Sequence, residues 1–158
     1  MGLLEHIDPL LTADLLHVLR SMGHGDKLAV VDCNFPAAEV ATKTTSGKHI
    51  LLTVDLPAAL RAIGTVLPLD FFDGIQASHM APQDGCELPE AGVEVIEALK
   101  AAVGEGCPGV VVKPLERFAF YEESRQCFAV VQTLERRPYG NAILVKGVVG
   151  PDGKDLKP

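Results

Sequence analysis

Residues 22–37 read MGHGDKLAVVDCNFPA, an apolar run bracketed by groups that can move protons and hold hydroxyls. His24 stands between Gly23 and Gly25; glycines permit a tight turn and leave the ring uncrowded. The residues before it have helical spacing, and the carbonyls at a helix end favour a protonated imidazole. A histidine so placed can give up and recover a proton near neutral pH; its other reading is a turn histidine beside a helix C-cap. Asp32 closes the apolar run. In open α/β sheets ligands collect beyond the carboxyl ends of strands, where an acid can accept hydrogen bonds from hydroxyls. Asp32 reads equally as a loop aspartate capping Asn34 or Phe35.

Two later stretches add donors. LERFAFYEESRQ puts Arg117, Tyr121 and Ser124 on one helical face, at i, i+4 and i+7. Arg117 can present a fork of N–H groups to vicinal hydroxyls, or pair with Glu116 or Glu122 at little gain. Phe118 and Phe120 read as core. In PYGN, Tyr139 offers a flat ring and a hydroxyl, Gly140 lets the backbone approach a ligand, and Asn141 is both donor and acceptor. The same residues also suit a hairpin turn.

Other signals are weaker. His6, His17, His49 and His79 lack metal-ligand spacing, and Cys33, Cys86, Cys107 and Cys127 form no CxxC pair, so no metal site is expected. Ser21 and Ser78 have no nucleophile-elbow context. The chain contains neither GxxxxGK nor GxGxxG. Asp70 with Asp73, and Glu122 with Glu123, read as solvated surface.

These side chains need a scaffold. Thr12 reads as an N-cap with Asp14 in the first turn, and Leu15, Val18, Leu19 and Met22 recur at helical spacing. That predicts a helix over residues 13–22 stopped by Gly23. Strands are expected over residues 27–31, 49–54, 74–80 and 109–113. Further helices are expected from Leu56 to Leu67, from Pro89 to Val103, and from Pro114 to about Arg125. Two strand candidates, residues 127–134 and 142–149, are joined by too short a connection for a crossover helix and so read as antiparallel. The alternation gives an α/β fold, a three-layer single domain with a mixed, mostly parallel sheet flanked by helices. The domain is expected over residues 1–150, and the Gly- and Pro-containing tail 151–158 reads as loose.

The 158 residues suit one core, and 47% hydrophobic with 22% charged residues is a globular composition. A formal charge of −7 repels phosphate backbones, so nucleic acid is not an expected partner. There is no 18-residue apolar run and no charged-then-apolar N-terminal segment, so no membrane partner is expected. The four cysteines read as reduced, mostly buried thiols of a cytoplasmic protein.

Taken together, HIDPLLTADLLHVLRSMGHGDKLAVVDCNFPA, ERFAFYEESRQCFAVVQTLERR and YGNAILVKGVV resemble the L-fucose mutarotase and D-ribose pyranase family. MGHGD, D.NFPA and RFAFYE occur in order, and RFAFYE resembles the fucose branch. The resemblance implies cofactor-free interconversion of sugar anomers by a homo-oligomer, a decameric ring included. It makes His24 the proton donor, and Asp32, Arg117, Tyr139, Gly140 and Asn141 the sugar-binding residues. Tyr121 is a possible accessory. Pro138 before the tyrosine departs from the family pattern.

This assignment meets a length problem. Five strand steps of about 3.3 Å put roughly 17 Å between His24 and Asp32, farther than a monosaccharide reaches. Either the GHGD loop folds back, or the two groups meet across a subunit boundary; the second is the expectation. The reading is therefore an aldose mutarotase, L-fucose being the expected sugar. Its alternative is a non-catalytic monosaccharide-binding or regulatory protein of sugar uptake and catabolism. A purely structural ring protein is a third, less supported by so many polar residues at one sheet end.

Overall fold

A computed structural model describes residues 2–158 of the protein. Its centre is a six-stranded sheet in the order β2-β5-β1-β6-β3-β4, built from β1 (Lys27–Val31), β2 (Lys48–Leu51), β3 (Ala77–Ala81), β4 (Val112–Glu116), β5 (Ala129–Gln132) and β6 (Ala142–Val145). β1 pairs in parallel with β5 and antiparallel with β6; β6 also runs antiparallel to β3, and β3 is parallel to β4. The sheet is mixed and mostly parallel. β5 and β6 do run in opposite directions, but β1 lies between them. Their short connection passes over one strand and becomes part of the site described below.

Five helices cover the sheet: α1 (Ala13–Ser21), α2 (Ala37–Ala41), α3 (Leu56–Gly64), α4 (Glu90–Gly106) and α5 (Arg117–Arg125). The sides of β1 show how the layers form. Leu28 and Val30 pack with Leu15, Leu60, Ile63 and Leu99 of α1, α3 and α4. Ala29 and Val31 face the other way, onto Phe35, Val40 of α2 and Phe120 of α5. Because alternate strand residues point to opposite faces, an unbroken apolar run belongs to a strand covered on both.

The helix starts follow capping chemistry. Thr12 Oγ1 accepts from Leu15 N at 3.3 Å, and Asp55 Oδ1 accepts from Ala58 N at 2.9 Å. The fourth sequence-predicted helix begins later than its proline suggests. Pro114 lies within edge strand β4, where a missing N–H costs little. Glu116 caps α5 instead, its Oε2 accepting from Phe118 N and Ala119 N. α4 runs on through Gly104 to Gly106, past the expected break. Beyond β6 the chain forms a small hairpin, β7 (Val148–Val149) with β8 (Asp155–Leu156), and residues 151–158 are all exposed. No helix among the described residues is long and apolar enough to cross a membrane.

Candidate active site

The parallel strands end on one side of the sheet, and antiparallel β6 begins there, since Val30 stands opposite Ala142. A cavity of about 290 Å³ opens at this edge, lined by Asp32, Asn34, Phe35, Met80, Arg117, Tyr121, Pro138, Tyr139 and Asn141. Its size is at the lower end of small-molecule sites, about 300–1,000 Å³. Each lining segment leaves a different element. Asp32 follows β1, Met80 is near the end of β3, Arg117 opens α5 directly after β4, and the PYGN loop leads into β6. Sequence-distant donors therefore converge where the strand directions change, the usual position for a ligand in an open α/β sheet.

Asp32 is buried, caps the turn as one of its readings expects, and lines the cavity. Its Oδ1 accepts from Asn34 N at 3.0 Å, closing the turn, and its Oδ2 accepts from Asn141 Nδ2 at 2.9 Å. Burial pushes its carboxyl above the ordinary aspartate range, against these hydrogen bonds, which pull it down. With the Phe35 N–H also drawing on this carboxylate, it keeps acceptor room for a further hydroxyl. Asn141 is 2% exposed, and its Oδ1 accepts from Asp32 N at 2.9 Å. Its amide thus meets Asp32 twice.

The opposite wall is aromatic. Tyr121 stacks on Phe35 with ring centroids 5.3 Å apart, and the Arg117 guanidinium lies 5.9 Å from the Tyr121 ring centre. Neither Glu116 nor Glu122 forms an ion pair with Arg117; Glu122 pairs with Arg125. Phe120 is core, as its spacing suggests, whereas Phe118 is exposed. Tyr139 has a φ of +68°, a region that non-glycine residues rarely enter. Gly140 beside it is required by contact: a Cβ there would stand 2.7 Å from Glu135 Cγ and 3.2 Å from the Arg137 carbonyl oxygen.

His24 is elsewhere. It precedes β1, at the opposite sheet edge, and is not among the residues lining the Asp32 cavity. The GHGD turn does not fold back along the strand: Gly25, at φ +82°, donates its N–H to the Lys146 carbonyl at 2.8 Å, and Asp26 Oδ2 accepts from Gly23 N. The His24 side chain is 45% exposed, with its ring edge-on to Phe72 at 6.0 Å. Its Nε2 lies 3.1 Å from Oδ1 of Asp70. Asp70 is 1% exposed, so its sequence reading as solvated surface is corrected. The bridge between Leu69 and Lys146 and the bond from Asp70 N to the Val145 carbonyl tuck it under the end of β6. Lone acids carry no sequence signal of burial, and only the neighbouring LPL hydrophobics hinted at it. Phe72 N also donates to Asp70 Oδ1, while Oδ2 is buried without a partner among the described residues. A second cavity of about 400 Å³ touches Asp70, Asp73, Lys27 and Glu123. His24, Asp70 and Asp73 bring ligand atoms within 4.8 Å of one another, a spacing that could accept a cation. Among the cysteines, Cys107 and Cys127 are buried and Cys33 and Cys86 exposed. Burial pushes the Cys127 thiol up to about 12.

Residues 5–149 match the model of the RbsD / FucU transport protein family. Fucose mutarotase of Danio rerio is 40% identical over 156 residues, covering 96% of this chain and 98% of that protein. Fucose mutarotase of Homo sapiens is 36% identical over 156 residues, covering 94% and 96%. The solved fucose mutarotase of Streptococcus pneumoniae in complex with L-fucose superposes with a TM-score of 0.79 at 31% identity, covering 93% of this chain and all of that one. The chain belongs to the RbsD / FucU transport protein family.

Proposed function

We propose that this protein is a mutarotase, an isomerase that interconverts the α and β anomers of an aldose, with L-fucose as substrate. One observation carries the reading: Asp32, Arg117, Tyr139 and Asn141, from segments scattered over more than a hundred residues, share one sugar-sized cavity. Two relatives are named fucose mutarotases and a third is solved with L-fucose bound.

The chemistry needs one acid and one base. A cyclic aldose is a hemiacetal. Its anomeric hydroxyl gives up a proton as the bond from the anomeric carbon to the ring oxygen breaks, and the ring oxygen takes up a proton. The aldehyde turns about its bond to the next carbon. The ring then recloses on the other face and both protons return. A positioned acid or base contributes about 10²- to 10⁴-fold. His24 protonates the ring oxygen. Asp70 Oδ1 stands 3.1 Å from Nε2 and orients the ring, and Nδ1 is the ring nitrogen turned away from Asp70. Asp32 takes the anomeric proton; burial has already raised its affinity for one. Arg117 and Tyr121 hold hydroxyls, Tyr139 lays its ring against the C–H face, and Gly140 lets the main chain close in. Asn141 holds Asp32 in place.

His24 of one subunit completes the pocket of the next. Such a contact is head-to-tail and closes into a ring, here a decamer. Exposed Phe72 and Ile75 on the His24 side and Phe118 on the Arg117 side supply apolar contact surface. The protein works in the cytoplasm. The test is NMR saturation transfer between the anomeric protons of L-fucose. His24→Ala abolishes enzyme-dependent exchange while calorimetry still detects fucose binding. Undiminished exchange in that variant rejects the donor role, and a wild-type protein that binds fucose without exchanging it is a binding module.

A further inference from the structure

We infer that Glu135, a residue outside the cavity lining, is the positioning residue that ties the two halves of the sugar pocket together and sets how tightly it holds sugar. The inference rests on the mutarotase reading of that pocket. Glu135 lies in the connection from β5 to β6 and is 3% exposed. A buried carboxylate survives only with partners, and this one has four. Oε1 accepts from Arg137 N at 3.0 Å and from Arg137 Nε at 2.8 Å. Oε2 accepts from an Arg137 terminal nitrogen at 2.9 Å and from Leu56 N at 3.3 Å. The first pair folds the loop back on itself immediately before Pro138 and Tyr139. The Leu56 contact ties that loop to the first turn of α3, where the helix dipole favours an anion.

The main chain of Glu135 reaches the other half. Its carbonyl accepts from Cys33 N at 2.9 Å, in the turn that carries Asp32, and its own N–H donates to Thr133 Oγ1. Asp32 and Tyr139 therefore hang on either side of one residue. The left-handed backbone of Tyr139, at φ +68°, is unfavourable by itself and persists because its surroundings hold it. Gly140 is packed against the Glu135 side chain so closely that no Cβ fits.

Glu135 also acts on Asp32 through its charge. Burial would push the Glu135 carboxyl up, but the Arg137 fork and backbone bonds hold it below the usual range, so it stays ionised and in turn raises Asp32. The charged groups around it are Arg137 on its own loop and Asp32 at the end of β1. Asp55 before α3 and Glu94 on α4 face Arg137.

The experiment compares Glu135→Gln, Arg137→Met and the double variant in fucose exchange across pH. Gln is isosteric but cannot form the ionic fork. Both single variants raise the half-saturating fucose concentration roughly 10- to 100-fold, the scale of a displaced positioning group, and lower the maximal rate as well, because Asp32 is displaced with the pocket. The double variant is no worse than either single, because the two residues act as one unit. In Glu135→Gln the acid limb of the pH profile also moves to lower pH, since Asp32 loses a neighbouring negative charge. A merely structural role would move no limb. Unchanged half-saturation in both singles, additive effects in the double, or an unmoved limb in Glu135→Gln overturns the assignment. If Glu135→Gln fails to fold, Arg137→Met, altered at a half-exposed side chain, decides alone through half-saturation. A wild type without exchange refutes the mutarotase reading instead, and calorimetric fucose affinity of the same variants then decides the role of Glu135.

Discussion

At the scale of single residues, the site depends on a buried acid whose proton affinity is set by its surroundings. The Asp32 carboxyl is raised mainly by burial, so its folded-state value lies above that of the unfolded chain. Its ionised form is lost on acidification earlier than an exposed aspartate's would be. The dependence of kcat/KM for fucose exchange on pH should therefore show an acid limb above the ordinary aspartate value of about 3.9. Asp32→Asn should remove that limb along with at least about 10²-fold of the rate, as followed by saturation transfer; a limb that persists in the variant belongs to another group. The raised value has a stability sign as well. Asp32 costs the fold stability progressively as pH rises from the unfolded to the folded value, and the full cost stays constant above it, a strain typical of functional acids. How these residues read from sequence follows the same physics. Asp32 and Arg117 were legible as candidates because one closes an apolar run and the other shares a helical face with Tyr121, although each also had a structural reading. The engagement of the Asn141 amide by Asp32 was not, because its two partners are 109 residues apart. Asp70 and Glu135 look like surface acids until their tertiary partners are known.

At the scale of elements, α5 is the arm that presents Arg117 and Tyr121, and its fixing point is Phe120. That ring is fully buried between the sheet and α2, edge-on to Phe35 at 6.1 Å. Phe120→Ala should cost about 3–5 kcal/mol of stability in chemical denaturation. In whatever remains folded it should weaken fucose binding more than Phe118→Ala does, because Phe118 is exposed. Equal effects of the two would show that α5 is not anchored through Phe120. The start of α5 also shows what local sequence rules weigh badly. Pro114 suits the first turn of a helix and an edge strand equally. Pairing of Ala77–Ala81 with Val112–Glu116, a non-local event, decided for the strand. β1, by contrast, was readable outright, because a short apolar run between turn signals has one natural fate in a layered fold.

At the scale of the whole molecule, the fold sets apart the two groups that the proposed reaction uses together. His24 and its Asp70 partner stand at one edge of the sheet, and Asp32 with the sugar cavity stands at the other, joined by the five residues of β1. A buried strand cannot shorten, so under the proposed mechanism the two groups meet only across a subunit boundary. The length of the apolar run in the sequence already contained this separation; which surface would meet His24 in the proposed assembly was beyond it, since a subunit contact leaves no periodic signal. The most direct test of shared sites is to mix two inactive variants, His24→Ala and Asp32→Ala, after dissociating and reassembling them together. If each pocket takes its acid from one chain and its base from the next, random pairing in a ring makes roughly a quarter of the sites wild type, and fucose exchange returns to about that share. Mixed assemblies that stay inactive at every ratio would contradict the account.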